Sequence, residues 1–106
     1  MLKELLFKDD LAVKVIDGTK SVTSRLFSNL TAGDTFYVED HLFVVNEVER
    51  KRIEDVNPVE EGFVFSEQLL DVLNEIYFVN LKRVSRELTM DDTMWVIKYS
   101  RVNIVR

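Results

Sequence analysis

The apolar residues of this chain recur at helical spacing in two segments. The first segment follows Asp9 and Asp10, which are suitable helix N-caps, and Gly18 is placed to end it, so we predict a short helix there. The second segment runs from about Glu67 to Ile76 and carries leucine, valine and isoleucine at a helical period. Ser66 precedes this segment and is predicted to be its N-cap.

Elsewhere, apolar and β-branched residues alternate with polar ones or form short runs, which is typical of β-strands. The tripeptide Glu39-Asp40-His41 separates two such runs and is predicted to join them as a hairpin. The polar segment Glu49–Glu61 is predicted to be a connection, and Tyr77–Val84 fits either a strand or an extended connection. The predicted strands are Leu5–Phe7, Ser21–Phe27, Thr35–Val38, Leu42–Val48 and Met94–Ile104.

These elements predict a single α+β domain that spans residues 1–106. Five or six short strands with short connections and about two helices are typical of a small, mostly antiparallel β-barrel. The chain has 106 residues, of which 46% are hydrophobic, and is long enough to bury one core without disulfides or a metal.

Composition excludes several kinds of chemistry. The chain has no cysteine, which excludes disulfides, thiolate metal sites and cysteine nucleophiles, and which favours a reducing, cytoplasmic location. Because His41 is the single histidine, we expect no metal site. No apolar run approaches the roughly 20 residues that cross a bilayer, so we expect no membrane partner.

The charge of the chain bears on its partners. A net charge of −5 disfavours extended contact with a polyanion, although a local basic pocket could still hold one nucleotide. The basic run Arg50-Lys51-Arg52 is interrupted by glutamates on both sides, so we expect it to be a solvated face.

Three short motifs occur in order along the chain. Gly18-x-Lys20 is followed by a threonine and an arginine, a Leu-x-x-Gly-Asp turn ends at Asp34, and Glu61-Gly62-Phe63 precedes the second predicted helix. From about Leu5 to Tyr99, this order resembles the ASCH domain of the PUA-like superfamily. The resemblance implies a PUA-like β-barrel with a cleft at one side.

The chain is most similar to the short bacterial branch of that family, which resembles N4-acetylcytidine amidohydrolases. The resemblance implies a hydrolase for a small acylated nucleoside that needs no metal or organic cofactor. It assigns three catalytic residues, with Lys20 as base, Thr23 as nucleophile and Glu61 as acid. The remaining candidates, expected to bind substrate, are Gly18, Arg25 and Tyr77.

This chemistry places a physical requirement on each catalytic residue. The Thr23 hydroxyl is inert unless a base takes its proton, and the Lys20 amine is a base only where burial keeps it neutral. Glu61, preferred over Glu60 and Glu67 because Gly-Phe follows it, can protonate the leaving nitrogen if its pKa is raised. Positions three apart in a strand face opposite sides, so Lys20 must lie on the preceding turn, or a bulge must intervene.

Each assignment has a plainer structural alternative. Lys20 could be a solvated lysine at a helix end, and Arg25 could simply pair with Asp34. Glu61 could be a solvated loop carboxylate, and Tyr77 a core residue. For the whole chain, the alternatives are a non-catalytic RNA- or nucleotide-binding module that uses the same cleft, and an interaction protein without chemistry.

Overall fold

The computed structural model describes residues 2–7 and 9–102. The elements, in chain order, are helix α1 (Asp9–Asp17), strands β1 (Val22–Arg25), β2 (Thr35–Val38) and β3 (His41–Arg52), a short 3-10 helix (Ile53–Asp55), helix α2 (Ser66–Asn74), a π-helical segment (Glu75–Asn80) and strand β4 (Thr93–Arg101). Gly18 follows α1 with φ +85°, so it ends the helix as predicted.

The four strands form one antiparallel sheet in the order β1-β4-β3-β2. The sheet is curled into a half-barrel, and the two helices complete a small PUA-like α+β fold, as predicted. β3 is the longest strand and pairs with both β2 and β4. A register shift between Val45 and Glu47 bends β3, as bulges do. Within the described residues the sheet has four strands, fewer than the five or six predicted.

Strand β4 is buried on both faces and separates two apolar clusters. Met94 and Val96 pack in the cluster that includes the buried residues of α2. Ile97 and Tyr99 pack instead in the cluster that includes Val15 of α1. Because side chains alternate along a strand, one central strand supports a helix on each side of the sheet. The candidate site lies where β1, at the sheet edge, meets both helices.

The structure corrects four of the predicted assignments, and the first is that β1 covers only Val22–Arg25 of the predicted strand Ser21–Phe27. Leu5–Phe7 is not a strand, and the N-terminal segment joins the sheet only through a parallel bridge between Leu2 and Thr35. The connection predicted for Glu49–Glu61 starts later than expected, because residues 49–52 continue β3 and pair with β4. These residues are polar and were therefore not predicted as a strand, but cross-strand pairing with β4 stabilises them as one. The predicted last strand ends at Arg101, and its final residue, Ile104, lies outside the described residues.

The second helix also differs from the prediction at both ends. Phe65, not Ser66, is its N-cap, and Gln68 Oε1 accepts hydrogen bonds from the backbone N–H groups of Val64 (2.8 Å) and Phe65 (3.0 Å). Beyond α2 the chain is neither a strand nor extended, because the π-helical segment continues to Asn80. This continuation places Tyr77 on the helical side of the candidate site.

Candidate active site

Lys20 lies on the turn before β1. Its backbone N–H donates to the Lys14 carbonyl (3.0 Å), and its own carbonyl accepts the Tyr99 hydroxyl (2.9 Å). The strand begins only at Val22, so Lys20 and Thr23 are not held on opposite faces of one regular strand. The geometric condition set for these two side chains to share a cavity is therefore met.

Glu61 lies in a tight turn that a glycine makes possible. The N–H groups of Glu61 and Phe63 both donate to the Pro58 carbonyl, at 3.1 and 2.9 Å. Gly62 has φ +87°, and a Cβ added to it would lie 3.0 Å from the Lys14 side chain. Both the backbone conformation and the lack of space therefore require glycine next to Glu61.

Hydrogen bonds hold this turn against α1 and the start of β1. The Glu60 carbonyl accepts the N–H groups of Ser21 (2.9 Å) and Val22 (3.2 Å). Lys14 of α1 donates from Nζ to the Gly62 carbonyl (2.7 Å). These bonds bring Glu61 next to Lys20, which is 41 residues away in sequence.

Lys20 and Glu61 form a buried pair. Lys20 Nζ lies 3.4 Å from Glu61 Oε2 and donates to the Glu61 carbonyl at 3.1 Å. The side chains are only 3% and 0% exposed. Burial lowers the pKa of Lys20 against the raising effect of Glu61, and burial raises the pKa of Glu61 against the lowering effect of Lys20. Both groups are thus driven towards their uncharged forms.

Two hydroxyl groups and a guanidinium adjoin the pair. Thr23 Oγ1 accepts a hydrogen bond from Arg25 Nε at 3.1 Å. The Ser24 hydroxyl is close enough to lower the pKa of Glu61, yet among the described residues neither Ser24 Oγ nor Glu61 Oε1 has a partner in hydrogen-bond geometry. Because buried polar atoms are rarely left unpaired, a small rotation that pairs the Ser24 hydroxyl with the Glu61 carboxyl would satisfy both atoms.

These groups surround a cavity of about 50 Å³. Since one water needs roughly 10–15 Å³ by this measure, the space suits a few waters or an acyl group but not a whole nucleoside. Arg25 closes one side, because its Nη2 donates to the Leu6 carbonyl (2.7 Å) and its guanidinium lies over the Phe7 ring (4.7 Å). A larger ligand would have to displace Leu6 and Phe7.

Five of the six predicted site residues line this cavity, namely Lys20, Thr23, Arg25, Glu61 and Tyr77. Gly18 does not line it and lies on the outer side of the turn. Its predicted substrate contact stays a prediction.

The structure also decides among the structural alternatives. Lys20 and Glu61 are buried, so neither is a solvated residue. Arg25 contacts Thr23 and Leu6, whereas Asp34 pairs with Lys3 at 2.9 Å, so the pairing of Arg25 with Asp34 is wrong.

Sequence reasoning missed two residues of the site. Ser24 lines the cavity next to Thr23, and its hydroxyl beside a predicted nucleophile was a signal that could have been used. Tyr99 fixes the Lys20 carbonyl from 79 residues away, and no local pattern indicates such a contact.

Within residues 2–7 and 9–102, no helix combines the length and the apolar character needed to span a bilayer. In the same residues, no three histidine, cysteine or acidic side chains are grouped so that they could hold a metal ion.

Known structures share this architecture, although neither a family model nor a curated protein matches the sequence. The crystal structure of an ASCH domain from Lactobacillus crispatus aligns with a TM-score of 0.75 over 94% of this chain and 79% of the other, at 10% sequence identity. The chain has the fold of an ASCH domain. A mutant of an ASCH protein from Zymomonas mobilis aligns with a TM-score of 0.55 over 96% of this chain and 72% of the other, at 13% identity. A protein from Enterococcus faecalis also aligns, with a TM-score of 0.68 over 88% of this chain and 67% of the other, at 14% identity.

Proposed function

We propose that this ASCH-fold domain is a small amidohydrolase that acts on an acylated nucleoside such as N4-acetylcytidine. The observation that supports the proposal most is the buried pair of Lys20 and Glu61 in the cavity that Thr23 lines. Burying two ionisable groups is often no more stabilising than burying apolar side chains of the same size. Their burial is therefore better explained by chemistry than by stability.

The shared environment of the pair would provide a base and an acid together. Burial favours the state in which Lys20 is neutral and Glu61 is protonated, because it shifts their pKa values in opposite directions. In the proposed first step, Thr23 Oγ1 attacks the acyl carbonyl carbon while Lys20 Nζ takes the hydroxyl proton. Glu61 protonates the exocyclic nitrogen as its bond to the acyl carbon breaks, which leaves an acyl ester on Thr23.

Hydrolysis of that ester would restore the enzyme. Water attacks the ester carbon and gives its proton to Glu61, while protonated Lys20 returns a proton to the departing Thr23 oxygen. The products are the free amine of the nucleoside and a carboxylic acid. Arg25, whose Nε lies 3.1 Å from Thr23 Oγ1, would stabilise negative charge that develops at this oxygen and the adjoining carbonyl.

Two rearrangements must accompany substrate binding. The hydrogen bonds of Lys20 Nζ both go to Glu61, so the Thr23 hydroxyl must turn towards Lys20 in the complex. Catalytic hydrogen bonds are often loose in ligand-free enzymes and tighten with substrate. The cavity can take the acyl group, whereas the cytosine ring of the substrate can enter only if Leu6 and Phe7 move.

The test is turnover of N4-acetylcytidine by purified protein, followed by chromatography of cytidine. We expect Thr23→Val and Lys20→Met each to lower kcat/KM by roughly 100-fold or more. Thr35→Val makes the same change on β2, away from the cavity, and should keep wild-type turnover. Absence of turnover by the wild type, or equal rates for Thr23→Val and Thr35→Val, would contradict the proposal.

One observation favours a second candidate function, a non-catalytic nucleotide- or RNA-binding module. The cavity is too small for a nucleoside in this conformation, so a ligand could bind at its mouth without entering. Saturable binding of cytidine with no hydrolysis of N4-acetylcytidine would support this function over the amidohydrolase.

A further inference from the structure

A second and larger cavity adjoins the candidate active site. It has a volume of about 580 Å³, within the range of small-molecule sites. Three separate parts of the chain contribute arginines or aromatic residues to it. Its main lining residues are Leu26, Phe27, Arg50, Arg83, Arg86 and Thr93, and we call it the arginine groove.

The arginine groove is positively charged in a chain whose net charge is −5. Arg86 is neutralised, because it donates two hydrogen bonds to the Asp92 carboxylate at 2.9 and 2.8 Å. Arg50 and Arg83, in contrast, form no ion pair with any residue in the described part of the chain. Two guanidinium charges in the groove are therefore uncompensated.

Both uncompensated guanidinium groups are oriented by aromatic rings. Arg83 lies over the Phe27 ring at 4.8 Å, and Arg50 lies over the Trp95 ring at 5.1 Å. Arg50 also donates from Nη2 to Thr93 Oγ1 at 2.8 Å. A stacked guanidinium keeps its N–H edge for acceptors, and the fork of donors on that edge matches a phosphate group.

Tyr77 connects the arginine groove to the active-site cavity. Its hydroxyl, on the cavity side, accepts the N–H of Leu26 at 3.3 Å. Its ring makes a T-shaped contact with the Phe27 ring, with centroids 6.0 Å apart, and its backbone carbonyl accepts the Arg83 N–H at 2.7 Å. A ligand that reached the cavity with one end could place its other end in the groove.

We propose that the arginine groove binds a phosphate group of the substrate, so that the substrate is a cytidine nucleotide, free or within RNA. The assignment of the acylated base to the neighbouring cavity rests on the proposed function, but phosphate binding in the groove does not. The groove therefore supplies the affinity that the small cavity cannot.

Trp95 allows phosphate binding to be measured without catalysis. It is the single tryptophan of the chain, and Arg50 covers its ring, so its fluorescence reports on the groove. Cytidine, cytidine 5′-monophosphate and a single-stranded cytidine RNA hexamer are titrated in turn, with calorimetry in parallel. We expect both phosphate-bearing ligands to bind at least about 10-fold more tightly than cytidine, with an affinity that falls as salt increases. If the monophosphate binds more tightly than the hexamer, the groove prefers a terminal phosphate. If the hexamer binds more tightly, the groove prefers a phosphate within an RNA chain.

Two variants with the same charge change decide whether the groove is responsible. Arg83→Gln should weaken binding of the monophosphate about 10-fold or more and leave cytidine binding unchanged. Arg101→Gln is the control, because Arg101 lies at the far end of β4 and donates to the Ile16 carbonyl. Equal affinity for cytidine and its monophosphate, or equal weakening by the two variants, would overturn the proposal.

A hydrolysis experiment separates the two proposals. If both hold, N4-acetylcytidine 5′-monophosphate has a KM at least about 10-fold below that of the nucleoside, and Arg83→Gln removes the difference. Phosphate binding without any deacylation would refute the amidohydrolase and keep the groove. Deacylation that does not depend on the phosphate would refute the groove and keep the amidohydrolase.

Discussion

Removing Glu61 tests how strongly burial acts on the Lys20 amine. In the wild type, the charge of Glu61 and its hydrogen bond both raise the pKa of Lys20, and burial outweighs them. In Glu61→Leu, burial and the positive charges of Arg25 and Lys14 are left, and all of these lower that pKa. The variant should therefore hold an amine that resists protonation in the folded state.

The magnitude follows from the burial of the pair. Removing the Glu61 carboxyl leaves the buried Lys20 amine without that hydrogen-bond partner, which costs about 1–3 kcal/mol, so we expect a loss of this size in the unfolding free energy at pH 7. The lysine pKa in the unfolded chain is near 10.5, and the folded variant binds the proton less tightly. Its stability should therefore rise with pH up to that value, by at most about 1.4 kcal/mol per pH unit. The double variant Lys20→Met/Glu61→Leu removes both ionisable groups and should be at least as stable as the wild type.

The assay is urea unfolding followed by circular dichroism at pH 7, 8 and 9. Glu47→Leu is the matched control, because Glu47 pairs with Lys98 at 3.6 Å on the surface, where the two side chains are 55% and 39% exposed. Breaking this exposed pair should change stability by less than about 1 kcal/mol. The reasoning is refuted if Glu61→Leu is no more destabilising than the control, or if its stability falls as the pH rises.

Two further predictions concern the turn beside Glu61 and the loop before β4. Gly62→Ala should be more destabilising than Gly18→Ala in the same urea assay. Both glycines have positive φ, which costs an alanine about 1–2 kcal/mol, but only the Gly62 Cβ would press on Lys14, at 3.0 Å. Hydrogen bonds from Arg86 lower the pKa of Asp92 to about 2, so the stability that Asp92 contributes above pH 4 is lost as the pH falls towards 2. The difference in unfolding free energy between wild type and Asp92→Asn should accordingly shrink as the pH falls from 4 towards 2. A difference that stays constant would contradict the lowered pKa of Asp92.

Local signals in the sequence were sufficient for several elements. Gly18 ends α1 as predicted, although Asp9 and Asp10, which were predicted to be N-caps, lie inside its first turn. The predicted hairpin does join β2 and β3, although its turn is only Glu39 and Asp40, because His41 already belongs to β3. Residues 49–52 were not predicted as a strand because they are polar. They form a strand because they pair with β4. The π-helical segment was missed because β-branched and aromatic residues have only weak helix propensity, which tertiary packing of Tyr77 overrides.

The site was predictable in its residue types but not in its geometry. The order of motifs indicated Lys20, Thr23 and Glu61, and the structure places Glu61, rather than Glu60 or Glu67, against Lys20. The volume of the cavity and its closure by the N-terminal segment depend on contacts between distant residues. The arginine groove was missed for the same reason. Arg50 is exposed, as predicted for its basic run, but Arg83, which lines the groove with it, lies more than 30 residues further along the chain.

The most direct test of the site is an NMR titration of the Lys20 side chain, assigned by comparison with Lys20→Met. Burial in the cavity predicts that the Lys20 amine titrates clearly below 10.5, the usual lysine value. An amine that titrates at or above 10.5 would be permanently charged at neutral pH, which would contradict its role as a base for Thr23.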